Sequence, residues 1–271
     1  MGATGGVRSA LSQGLLTEDD LTSFEKRLVE GLSEVKNIKE VRFSAIDGSD
    51  EGRWELMAAQ AIWSGDSGTM FGVEDAFVGM ISGGGSSMQI GAEGGEAVSH
   101  AFSTMWDGME EGKGAPAEAW LDDAVWGAWE ADLIEKIEQY KASQGEAFRL
   151  LDGCYVGTAC NKQAVAAAGF ADRPVTAEEA IPLLRAGVLE FRTQTGPNYE
   201  REKDVQRPKV RYNWFSVMAR QKCRLAHVLE ILFDPTARLY FTKTGLTKTT
   251  EQLDCEWTLG AWTELHAVHH S

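Results

Sequence analysis

The sequence predicts an α/β protein, and three observations lead there. Residues 40–46 alternate, with Val41, Phe43 and Ala45 on one side, which is the two-residue period of a strand. A helix pattern follows directly, so that Glu51 falls in the first turn of a helix fed by a strand. Residues 77–81 then form a short apolar run that enters three consecutive glycines and can return as a second strand. In many α/β folds ligands bind at the carboxyl ends of strands, where chain segments of this kind turn.

Each element has a local reason. Residues 2–6 are glycine-rich and read as a loop beside a helix start. Thr17 followed by Asp20 gives an N-cap with an acidic first turn. Leu21, Phe24, Leu28, Leu32 and Val35 recur at three- and four-residue steps and predict one apolar helix face. In the helix after residues 47–50, Trp54, Ala58 and Ala61 share a face. A calcium loop counted from Asp47 fails there, because its twelfth position is Ala58 rather than Glu. Residues 64–75 and 91–95 are glycine-containing turns. From residue 115 onward Trp120, Trp126, Trp129, Leu133, Ile137 and Tyr140 lie near helical spacing and predict a core stripe. Thr176 with Glu179 is a capping box opening a further helix. Residues 196–208 are polar and bounded by prolines, hence a surface loop. Residues 213–233 predict an amphipathic helix with Trp214, Val217, Met218, Leu225, Leu229 and Leu232 inward, and residues 256–268 a last helix.

Composition narrows the function classes. The 271 residues fit one large or two modest domains, and 43% hydrophobic content with nine tryptophans supplies a core. A formal net charge of −15 disfavours both a general nucleic-acid binder and docking on anionic membranes. A single nucleotide can still bind through local amides, hydroxyls and a divalent cation. No apolar run reaches the roughly 20 residues of a membrane helix, and the first residues lack the apolar core of a signal peptide. Cys154, Cys160, Cys223 and Cys255 do not have the spacing of a zinc site. Two disulfides and four buried thiols both remain open.

The glycine run at Gly83, Gly84 and Gly85, followed by Ser86, Ser87 and Gln89, carries the most chemistry. Glycines allow tight turns whose amides approach a phosphate, and the two hydroxyls can position water or a metal. A glycine hairpin with a purely structural role reads equally well from these residues alone. A serine-hydrolase elbow does not, since Met88 occupies the position of its last glycine. Neither GATGGV nor GAEGGE has the spacing of a dinucleotide-binding loop. His266, His269 and His270 read as a chain end rather than a metal site.

Four segments, in order, resemble the motifs of the apyrase family of nucleoside triphosphate diphosphohydrolases and guanosine diphosphatases. MGATGGVR at residues 1–8 resembles GATAGMR; IDGSDEGRW at 46–54 resembles ISGxEEGxxGW. MISGGGSSMQI at 80–90 is similar to LDLGGASTQI, and EWTLGA at 256–261 to the closing WxLGxM motif. The resemblance implies an actin-like, ribonuclease-H-like fold of two lobes with a nucleotide between them. Residues 1–70 then correspond to a partial first lobe and 71–255 to the second, with 256–271 a helix returning to the first. It implies hydrolysis of the terminal phosphate of nucleoside di- and triphosphates by an activated water, with magnesium or calcium. Glu51 falls on the general base, and Ser87 and Gln89 fall on the residues that hold the attacking water. Gly84, Gly85 and Ser86 fall on the phosphate loop, Thr4 and Arg8 on the phosphate-side threonine and arginine. Trp257 falls on the closing motif, as a packing residue. The family's compartment is the secretory pathway or cell surface.

Two departures bear on activity. Ser82 stands where the family has an aspartate that organises the metal, and serine brings no charge to a hard cation. The chain also begins at the second family motif, without the Asp-Ala-Gly-Ser-Ser type loop. The resemblance therefore predicts an incomplete first lobe, as in a fragment of such an enzyme. The alternatives are an inactive relic that binds nucleotide or a protein partner, and another member of the same superfamily such as an exopolyphosphatase, for which the GGGSS run is sufficient.

Overall fold

A computed structural model of the chain describes residues 2–3, 7, 10–11, 14–32, 44–65, 79–83, 88–92, 98–100, 120–145, 148–158, 174–193, 208–241, 258 and 261. In chain order the elements are β1 (Gly2–Ala3), α1 (Glu18–Leu32), β2 (Ser44–Ala45), α2 (Gly48–Gly65), β3 (Gly79–Gly83), β4 (Met88–Ala92) and β5 (Val98–His100). There follow α3 (Asp123–Ser143), β6 (Cys154–Thr158), β7 (Pro174–Thr176), α4 (Ala177–Thr193), α5 (Pro208–Leu232) and β8 (Arg238–Phe241). Of the described residues, β1 and β2 form a parallel pair, and the other strands form a six-stranded sheet in the order β5-β4-β3-β6-β8-β7.

The sheet is parallel at its centre and antiparallel at both flanks. Strand β3 runs parallel to β6, and β6 to β8, whereas the β3–β4–β5 meander and the β7 edge are antiparallel. Because side chains alternate along a strand, the β3–β4 register divides the residues between two faces. Ile81 pairs with Ile90 and Gly83 with Met88, and Ile81, Met88 and Ile90 join the main core. Met80 pairs with Gly91 and Ser82 with Gln89, and this second face meets α2. Helices thus cover both faces of a buried sheet.

On the first face α5 packs against α3 and α4. Trp126, Trp129, Leu133 and Ile137 of α3 are all buried, as their spacing predicts. The indoles of Trp126 and Trp129 meet edge to face at 5.1 Å between centroids, and Trp120 meets Trp129 at 5.9 Å. Such pairs add about 0.5–1.5 kcal/mol each beyond area burial. Asp122 caps α3 by accepting from the amides of Ala124 (2.8 Å) and Val125 (3.1 Å). Thr176 and Glu179 form the reciprocal capping box at the start of α4, and Thr17 and Asp20 do the same before α1.

Several expectations are corrected. Helix α1 exists, but only Leu21 on it is buried and Phe24 is 42% exposed, so its apolar stripe does not join the described core. Helix α3 begins at Asp123 rather than near residue 115; Trp120 sits in a short turn ahead of it. Helix α5 begins at Pro208 and is buried on every side from Ser216 to Ala226, which a one-sided pattern did not predict. Strand β3 extends through Ser82 and Gly83, and β4 carries on through Ala92, so residues 91–92 belong to the sheet rather than to a turn. Strands β6, β7 and β8 had no counterpart in the sequence reading. The closing helix lies outside the described residues apart from Thr258 and Ala261.

Candidate functional site

The candidate site is built where α2 crosses the β3–β4 pair. Ile46 is buried at the end of β2, and Asp47 then caps α2, accepting from the Ser49 amide at 2.8 Å and from its hydroxyl. The Glu51 amide donates to the Asp47 carbonyl at 3.0 Å, which fixes Glu51 in the first turn. Glu55 lies one turn further along the same face. The helix sits unusually tight on the sheet here. A Cβ added at Gly91 would fall 3.0 Å from Leu56 Cβ and 3.5 Å from the Gly52 carbonyl. That closeness brings two carboxylates within reach of strand side chains.

Two buried hydrogen bonds result. Gln89 Nε2 donates to Glu51 Oε2 at 3.1 Å, and Ser82 Oγ donates to Glu55 Oε1 at 2.8 Å. Glu51 and Glu55 are each 6% exposed, Ser82 and Gln89 each 1%. Taking carboxylates out of water opposes folding unless hydrogen bonds compensate. Ser82 and Gln89 are register partners, so one rung of the β-ladder serves both acids.

Of the residues singled out by sequence, Glu51 and Gln89 are brought together, although 38 residues separate them. Ser87, Thr4, Arg8, Gly84, Gly85, Ser86 and Trp257 lie outside the described residues. Glu55 is the residue that sequence reasoning missed. Its signal was the four-residue step from Glu51, which places both acids on one helical face. Ser82 itself brings no charge, but its hydroxyl lies against the Glu55 carboxylate. Cys154 and Cys223 are free, buried thiols, which settles those two against disulfides; Cys160 and Cys255 lie outside the described residues.

No protein-family model matches the chain, and no curated protein matches it. Solved structures do. A Ppx/GppA family member from Aquifex aeolicus aligns over 100% of this chain and 74% of its own, with a TM-score of 0.56 at 14% identity. A second structure, of the Aquifex aeolicus PPX-GPPA enzyme, aligns over 97% and 74%, with a TM-score of 0.52 at 13% identity. A third, the type II variant of the Aquifex aeolicus Ppx/GppA phosphatase, gives 0.51 at 14% identity over 97% and 73%. The fold is shared. It is the actin-like, two-lobed α/β class that the motifs imply. Among the described residues no helix is long and apolar enough to cross a membrane.

Proposed function

We propose that the chain is a phosphoanhydride hydrolase that removes the terminal phosphate of nucleoside di- and triphosphates. The observation that carries this is the buried hydrogen bond from Gln89 Nε2 to Glu51 Oε2, at 3.1 Å. It joins the two described residues that the apyrase-type motifs assign to the attacking water. The Ppx/GppA phosphatase among the structural neighbours supports the same reaction class on the same fold.

In this reading Glu51 accepts the proton of a water held at about 2.6–3.2 Å, the reach a general base needs. Gln89 fixes the rotation of that carboxylate, and Ser87 with the glycine loop of Gly84, Gly85 and Ser86 receives the water and the phosphate. Thr4 and Arg8 complete the phosphate side. Glu55 and Ser82 fit a hard divalent ion by donor type, since both offer oxygen and one is a carboxylate. Magnesium or calcium held there would offset charge on the phosphate oxygens. The carboxylate absent from position 82 is thereby offered from α2 instead, which favours a working enzyme over a relic.

The test is phosphate release from nucleoside di- and triphosphates and from linear polyphosphate, with magnesium and with calcium. Glu51→Gln keeps the side chain's shape and removes the base. We expect turnover to fall at least about 100-fold, the usual span for a lost general base, with the melting temperature unchanged within a few degrees. No release by folded wild-type protein would overturn activity of this chain, leaving a fragment of such an enzyme or an inactive relic. Release from polyphosphate alone would move the substrate away from nucleotides.

A further inference from the structure

We propose that Glu130, Cys223 and His227 form a zinc site on the opposite side of the sheet from Glu51, in a cavity between α3, α4 and α5. The cavity holds about 650 Å³ and is lined by Glu130 from α3, Arg185 and Leu189 from α4, and Cys223 and His227 from α5. Cys223 and His227 are one helical turn apart, so they project together towards Glu130. One donor atom from each lies within 4.8 Å of the others.

The distances suit the ion. Cys223 Sγ is 3.4 Å and His227 Nε2 2.7 Å from Glu130 Oε1. Tetrahedral zinc holds its nitrogen, oxygen and sulfur ligands roughly 3.2–3.8 Å apart, given bonds of about 2.0–2.3 Å. The thiol–carboxylate spacing already meets this, and the imidazole–carboxylate spacing needs to open by about half an ångström. Groups behind the ligands orient them. Trp126 Nε1 donates to Glu130 Oε2 at 3.1 Å, which turns Oε1 towards the other two donors. His227 Nδ1 faces Glu230 Oε2 at 3.6 Å, and Glu230 is itself paired with Arg185. A carboxylate behind the second imidazole nitrogen is the usual partner of a metal-bound histidine.

The chemistry selects the metal. Thiolate and imidazole favour zinc over magnesium or calcium, which take oxygen. One thiolate and one carboxylate balance the double positive charge. Without metal, burial chiefly, and the neighbouring Glu130 charge, push the Cys223 thiol up, so it keeps its proton and donates to Glu130. Zinc displaces that proton to solvent and takes the sulfur. Three protein ligands leave a fourth position for water or a small anion from the cavity. Counting cysteines alone hid this site, because its second ligand from α5 is a histidine.

The experiment titrates cobalt into chelator-treated full-length chain. We expect one equivalent bound with a thiolate-to-cobalt charge-transfer band and the strong visible bands of tetrahedral coordination, all displaced by zinc. Cys223→Ser should abolish the charge-transfer band. Glu130→Gln, at a partly exposed position, and His227→Gln should weaken binding at least tenfold, and these two decide the matter if Cys223→Ser does not fold. Absence of the band in folded wild-type protein would overturn the site, leaving a hydrogen-bonded link between α3 and α5. So would a band of unchanged strength and affinity in folded Glu130→Gln and His227→Gln.

Discussion

Among the described residues, the α2 crossing and helix α5 both bury polar side chains, and they do so differently. At the α2 crossing, Glu51 and Glu55 meet Gln89 and Ser82 from strands 27 and 38 residues away in sequence. Along α5, Ser216, Arg220, Gln221, Lys222 and Arg224 are buried on one helix, close in sequence, by elements that wrap around it. There Arg220 lies 4.0 Å over the Trp120 ring, and Lys222 is packed beneath Gly187 of α4. The first arrangement spends burial on aimed acid–donor pairs. The second packs long side chains along a single helix, with the Arg220 guanidinium over an indole and its Nε donating to the Ser216 carbonyl at 3.4 Å. Substitutions separate the two.

The largest effect should come from Gly79, which sets the strand geometry under the first region. A Cβ there would lie 2.3 Å from the Gly91 carbonyl and 2.5 Å from the Tyr155 ring, both fixed inside the sheet. Backbone cannot yield as a flexible side chain can, so Gly79→Ala should cost more than about 4 kcal/mol and leave little folded protein. Gly127→Ala on α3 is the control, since nothing lies within 4 Å of its added Cβ. It should stabilise by up to about 1 kcal/mol, the helix propensity difference. Denaturant midpoints of the two variants check both directions.

The next effect tests whether the acid–donor pairs are coupled. Ser82→Ala removes the donor to Glu55 and should destabilise by about 1–3 kcal/mol, the cost of a buried acceptor losing its partner. Combined with Glu55→Gln in a double-mutant cycle, it should show a coupling of about 1–2 kcal/mol. A coupling near zero would mean the pair is incidental.

How much of this was legible beforehand follows from the range of the interactions. The caps at Thr17 and Thr176 and the tryptophan stripe on α3 depend on residues a few positions apart, and the sequence showed them. Glu51 and Gln89 were found because the segments around them resemble apyrase motifs. Glu55 carries no such mark, and its contact with Ser82 depends on how closely Gly91 lets α2 approach β4. Strands β6 and β8 were missed for a related reason. Their residues, CYVGT and RLYF, are too short and mixed to reveal strands that become buried only through parallel neighbours far along the chain. The burial of α5 on every side was hidden likewise, because its charged residues suggested a solvent face.

Lys222 offers the finest test of the second region. It is 2% exposed, and burial lowers its pKa from the ordinary lysine value, with Glu190 opposing part of that shift. The folded state therefore binds the lysine proton less tightly than the unfolded chain does. Between the two pKa values the unfolded state holds more protons, so this residue makes stability rise with pH up to the ordinary lysine range. Lys222→Met removes the charge and keeps the unbranched stem that packs beneath Gly187. Replacing a buried charge with apolar volume is often neutral or stabilising. The variant should match or exceed wild type near neutral pH, and its advantage should shrink as pH climbs towards the lysine range. Denaturant melts of both proteins across that interval give the slopes directly. A variant destabilised at neutral pH would show that the Lys222 ammonium makes a specific stabilising contact.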